Sequence, residues 1–192
     1  APIDREVLLE AVGRCKALAD IVIVSLHWGM EFCPYPRPGD RRLAHELIEA
    51  GASAIVGHHP HVVQGIEIYR GAPIFYSLGS FLYNPLDERI REEKNLERRR
   101  LSMVAVVALA REGIAGVRIV PTRFGEDGKV HVLVGDDARR ACDYILQLSQ
   151  RIDQRGLAFC EQAVGNILAR EIRTIGLLWK RGGVRALLAL AK

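Results

Sequence analysis

The sequence has no run of 18 apolar residues, so no single helix in it is built to span a bilayer. It has no CxxC pair either. The four cysteines, Cys15, Cys33, Cys142 and Cys160, lack the spacing of a zinc clamp and outline no disulfide framework. Reduced or simply buried thiols are the expectation. A basic-then-apolar leader is missing, and Ala1 stands where an initiator Met would, so a fragment or processed form is expected. There is no internal repeat and no low-complexity segment.

What is present describes an ordinary globular chain. In 192 residues, 49% hydrophobic and 26% charged, there is enough to bury one core without staples, as one domain with an appendage. The net charge of +4 is unevenly placed. Residues 165–192 carry six bases and one acid, a net of +5, which leaves −1 for everything before them. The basic excess therefore belongs to a tail. The region of the candidate site is not basic and has no arginine and aromatic interleaving, so a nucleic-acid partner is not expected.

The first half alternates. Residues 5–18 read as a helix, and "ADIVIVSLHWG" carries the β-branched run of a buried strand over 21–25, ending at His27-Trp28-Gly29. After the Pro-rich "CPYPRPGD", Asp40 is placed to cap a helix that Gly51 ends, and 54–56 form the next strand. Helix-strand-helix-strand order predicts an α/β fold with parallel strands, whose reactive side chains gather where the strands end. Further on, "YRGAP" reads as a turn between two strands, and a second strand pair turns at Glu112-Gly113. The stretch 87–100, with six bases and five acids, reads as a solvated helix or mobile loop. Asp136 and Asp137 are placed to cap a helix running to about Arg151, and helix dominates from there to the end.

Three of the six histidines fall within "GHHPH", at the end of the second strand. On an extended segment, residues i and i+2 point the same way, so His59 and His61 would present two imidazoles to one ion, with Pro60 stiffening the link. His27, from the neighbouring strand end, would supply a third nitrogen. Three imidazoles suit Zn, Fe or Mn. His45 and His131 read as structural or merely exposed.

Taken together, "SLHWGMEF", "LIEAGASAIVGHHPHVVQG" and "IFYSLGSFLYN" resemble the later part of the bacterial CapA-type capsule-synthesis proteins, which make poly-γ-glutamate and are relatives of the calcineurin-like metallophosphoesterases. The resemblance implies part of an α/β metallophosphoesterase-like sandwich over residues 1–135, followed by a helical extension over 136–192. It further implies that His27, His59 and His61 are ligands in a dinuclear site of divalent Mn, Fe or Zn. His58 is the weaker ligand candidate and is assigned a catalytic part, donating a proton or touching substrate. Glu31, in the His-Trp-Gly-x-Glu pattern, is expected to shape the site or its surroundings.

Two departures stand out. The family's Ser-Leu-Gly-Asn-Phe is Ser77-Leu78-Gly79-Ser80-Phe81 here, a hydroxyl in place of an amide. The Asp-x-His, Asp and Asn-His motifs that complete a two-metal site in related phosphoesterases do not occur. The chain alone is therefore expected to bind metal weakly and turn over nothing. As part of an intact protein it reads as a metal-dependent hydrolase acting on an anionic polymer or phosphoester, with envelope-polymer synthesis partners. The alternative is a non-catalytic scaffold in polymer assembly. The basic helical tail would pack on a partner or on the domain, or lie on an anionic membrane surface. The expected location is cytoplasmic or membrane-associated in a bacterium.

Overall fold

A computed structural model describes residues 4–82, 96–110 and 113–152. The basic tail, Cys160 and most of the charged stretch lie outside these residues. The fold is α/β. Helix α1 (Arg5–Leu18) starts where the Asp4 carboxylate accepts from the N–H groups of Glu6 and Val7, as an N-cap does. Strand β1 (Ile23–His27), helix α2 (Pro38–Glu49) and strand β2 (Ala54–His58) follow, then the hairpin of β3 (Ile66–Tyr69) and β4 (Ala72–Phe75). Arg70 and Gly71 both take positive φ, 48° and 82°, the twist a two-residue hairpin requires.

These strands form one sheet in the order β1-β2-β4-β3, parallel from β1 through β4 and antiparallel at β3. Helices α1 and α2 pack on it: Val12, Ala44, Leu47 and Ile48 share a core with Val24, Leu26, Ile55 and Ile74. Burying each large aliphatic side chain contributes about 1.5–3 kcal/mol. Along β1 burial alternates strictly, Val24 and Leu26 inward, Ile23, Ser25 and His27 outward. That alternation is what brings His27 to the surface at the strand's end.

A short helix α3 (Leu96–Arg100) leads into a second, antiparallel sheet of β5 (Leu101–Ala110), β6 (Gly113–Phe124) and β7 (Val130–Val132). The two sheets meet where the Met103 N–H donates to the Leu78 carbonyl, 2.9 Å, and Gly79 bridges Ser102. Helix α4 (Gly135–Gln150) closes the described chain, burying Ala141, Ile145 and Leu148.

Several elements differ from the sequence reading. The first strand lies two residues later than its β-branched run, so His27 belongs to the strand rather than to the loop after it. Asp40 is not the N-cap of α2, which is Arg37, but takes the third position of its capping box. The helix begins at Pro38, whose fixed φ suits a first turn, and the Asp40 carboxylate reaches back to the Arg37 N–H at 3.2 Å. Likewise the residue capping α4 is Val134; Asp136 and Asp137 lie inside the first turn, where their charge complements the helix dipole. The charged stretch is not wholly solvated, since Arg99 is 5% exposed. Cys15 and Cys142 are exposed free thiols, while Cys33 is buried with its thiol directed at the Tyr35 carbonyl.

Candidate functional site

The parallel register of β1 and β2 pairs His27 with His58. Both strands therefore end at one level, and the Trp28 N–H extends the ladder to the His58 carbonyl at 3.1 Å. Such close strand ends require a small residue nearby. A Cβ on Gly57 would stand 2.0 Å from the Tyr76 carbonyl oxygen and 2.4 Å from Trp28 Nε1. Trp28 uses that space to donate its indole N–H to the same Tyr76 oxygen at 3.0 Å.

Beyond β2 the chain does not stay extended. His59 and His61 both have positive φ, 98° and 57°, on either side of a fully buried Pro60. The expected i, i+2 alternation of an extended segment is thus replaced by a tight turn. Non-glycine residues in this region are strained and persist only where their surroundings hold them. Here the hold is visible: the Phe32 N–H donates to the Pro60 carbonyl at 2.7 Å, and Gly29, φ 86°, lies against the Pro60 ring.

The turn brings three of the four candidate histidines together. The His27 and His59 ring centres are 4.6 Å apart, and those of His59 and His61 are 6.0 Å apart. His58 is the exposed last residue of β2, beside this group on the surface. His45 and His131 lie elsewhere, the first stacked on Tyr69 and 3.0 Å from Glu67, the second on Asp127.

His61 is partly buried, and desolvation holds its pKa below the ordinary histidine value; Glu31 opposes this, while His59, His27 and Arg99 add to it. The ring thus favours the neutral form, which is the form that ligates metal. Its Nδ1 lies 2.9 Å from the Ser80 hydroxyl. The family pattern marks Ser80 only as a departure. Its partnership with His61 follows from Gly79, φ 78°, turning the chain back toward the histidines.

The side chains gathered here are rich in imidazole, a donor type that ligates divalent metals. Among the described residues, no group of three or more His, Cys, Asp or Glu is arranged to hold one. The acid whose charge reaches His61 is Glu31, itself exposed.

The fold and this face define an α/β protein with a histidine site at the ends of parallel strands. Residues 1–85 match the family described as bacterial capsule synthesis protein PGA_cap. Over these residues the chain is similar to capsule-synthesis proteins, and the matched part holds all four candidate histidines and Ser80. The PGA biosynthesis protein CapA of Bacillus subtilis (strain 168) is 45% identical over 91 residues, 47% of this chain and 24% of that protein. Capsule biosynthesis protein CapA of Bacillus anthracis is 43% identical over 83 residues, 41% of this chain and 20% of that protein. A probable polyglutamine synthesis accessory protein of Mycobacterium tuberculosis is 48% identical over 64 residues, 33% of this chain and 17% of that protein. The matched part thus spans a quarter or less of these relatives. Among the described residues, no helix is long and apolar enough to cross a membrane.

Proposed function

We propose that this chain carries the histidine share of a metal-dependent hydrolase site in a protein of capsule or polyglutamate synthesis. The observation that carries the reading is the contact of His27, His59 and His61 at adjacent strand ends, two of them held in strained backbone. His59 and His61 would bind a divalent Mn, Fe or Zn ion, with His27 as a third nitrogen and a second ion in the intact protein. An ion held there would polarise a phosphoryl or acyl oxygen and lower the pKa of bound water. Ser80 would orient His61, and exposed His58 would donate a proton or touch substrate. Anionic polymers or phosphoesters are the substrate class, with envelope-polymer synthesis proteins as partners.

The test is metal content. The chain, equilibrated with Zn(II) or Mn(II), should retain metal, and His59→Ala and His61→Ala should each lose it. Unchanged metal in both variants overturns the assignment. The share is incomplete, so phosphodiesterase turnover by the chain alone should be absent; two tightly held ions with robust turnover would show the site to be whole.

A second reading is a non-catalytic part in polymer assembly. It is favoured by the lack of a closed ligand set among the described residues. It predicts that the three alanine variants at His27, His59 and His61 leave polymer production unchanged in cells.

A further inference from the structure

Among the described residues, β1 and β3 border one sheet, and β5 and β7 border the other. A strand border offers N–H and C=O groups to any chain that matches it, and proteins blunt such borders with shortness, charge, proline or cover. β7 has three residues, β3 four and β1 five, and β3 also carries Glu67. β5 is different. Its ten residues, "LSMVAVVALA", include no charged side chain and no proline.

Two contacts fix the direction of its backbone groups. The Met103 N–H donates away from β6, to the Leu78 carbonyl at 2.9 Å. Opposite Met103 in β6 stands Pro121, which has no N–H and whose carbonyl accepts from Leu133 on its far side at 2.9 Å. At Met103, then, β5 and β6 exchange no hydrogen bonds, and by the period of two Ala105 and Val107 are the next such positions. Their N–H and C=O groups point outward along the edge. Among the described residues, Met103 alone of the three has a backbone partner there. Past it the strand stays open to solvent, with Val104, Val106 and Leu109 38%, 40% and 55% exposed. A register shift between Ala108 and Leu109 then ends the regular edge.

We propose that the outer edge of β5 is a docking edge for a second copy of this chain, joining the two antiparallel sheets into one across a two-fold axis. Such an axis sets a strand against itself, so any charge on it would meet its own kind; β5 carries none. One register uses both open positions: Ala105 exchanges bonds with Val107 of the copy, and Val107 with Ala105. The axis then passes by Val106, which stands opposite itself in a pair without hydrogen bonds, where Cα atoms approach to about 4.5 Å. Val104 lies opposite Ala108. The pairing needs no metal and no histidine, so it stands or falls apart from the reading of the histidine face.

Sedimentation equilibrium of the full chain over about a hundredfold range of concentration measures it. A monomer–dimer equilibrium is expected, since closure about the axis leaves no β5 edge for a third copy. Val107→Pro removes an outward N–H without taking one from β6, so it should abolish the dimer while circular dichroism keeps the signature of the fold. Val106→Lys sets two ammonium groups opposite each other and should weaken the dimer about tenfold or more. If Val107→Pro does not fold, Val106→Lys carries the test. Val106→Cys reads the register: mild oxidation should link two copies through it, beyond any linkage that the native cysteines give in the unsubstituted chain. A monomer at every concentration overturns the proposal and leaves the edge to a different chain. A dimer indifferent to both edge variants, or one that Val106→Cys does not link, overturns it equally.

Discussion

Nδ1 of His61 and Oγ of Ser80 are 2.9 Å apart, and Ser80 is 7% exposed, so solvent competes little for the bond. A hydroxyl both donates and accepts. When it accepts from Nδ1, the proton is held on that nitrogen and Nε2 carries the lone pair a metal needs. Ser80→Ala should therefore weaken Zn(II) binding about 10–100-fold, with the fold retained. Ser80→Asn, whose side-chain oxygen also accepts, should restore most of it. Metal titrations on the three proteins check this, and equal affinity for Ser80→Ala would detach the serine from the site.

Gly57 makes a second prediction, about stability. Any side chain there meets backbone and indole at once, and neither can retreat without breaking the Trp28–Tyr76 bond. Gly57→Ala should cost about 1–3 kcal/mol or more by overpacking. Gly116, where an added Cβ would have nothing within 4 Å, is the control. Thermal denaturation should show a large loss for the first substitution and almost none for the second.

The pH dependence of folding has an identifiable contributor in Glu67. Burial works against its charge, yet the hydrogen bonds from Arg41 and Tyr76 and the Arg41 charge outweigh it, leaving the carboxyl below its usual 4.5. Arg41 donates at 2.7 and 3.1 Å, Tyr76 at 2.6 Å, and His45 lies at 3.0 Å. Because the unfolded chain binds this proton more readily, the stabilisation is complete above about pH 4.5 and is lost as pH falls through the lower folded value. Glu67→Gln should reduce stability at neutral pH by about 1–3 kcal/mol and make its decline on acidification shallower. Urea denaturation at pH 7 and at pH 4 measures both, and an unchanged acid limb would remove Glu67 from the account.

Trp28 offers a fourth check. Trp28→Phe keeps much of the buried ring but leaves the Tyr76 carbonyl without its indole donor. A loss of about 1–3 kcal/mol is expected. A chemical denaturation midpoint equal to that of the unsubstituted protein would show that the carbonyl finds another donor.

Periodicity made the alternation of α1, β1, α2 and β2 legible, because each element buries one face and its apolar spacing records which. The ends were less legible. Asp40 and Asp137 have the chemistry of caps, but Pro38 and Gly135 start their helices earlier, and the acids serve inside the first turn. At the site, the residue types of the histidine cluster were visible, while the geometry was not: φ values of 98° and 57° arise from the fit of Pro60 against Gly29 and Phe32, contacts made between segments far apart in sequence. Ser80 was missed for the same reason. It looked like a substitution, and only tertiary packing sets it beside His61.

Helix α4 does something for the sheet that its amphipathic pattern does not announce. The Ile66 N–H at the start of β3 donates to the Ser149 hydroxyl at 2.8 Å, and a Cβ on Gly65 would stand 2.8 Å from the Ser149 backbone. Among the described residues β3 is the outermost strand of its sheet, the kind of border along which another chain can add. The helix sits across the beginning of that border, so shortening the protein to residue 134 should uncover the strand edge and promote self-association.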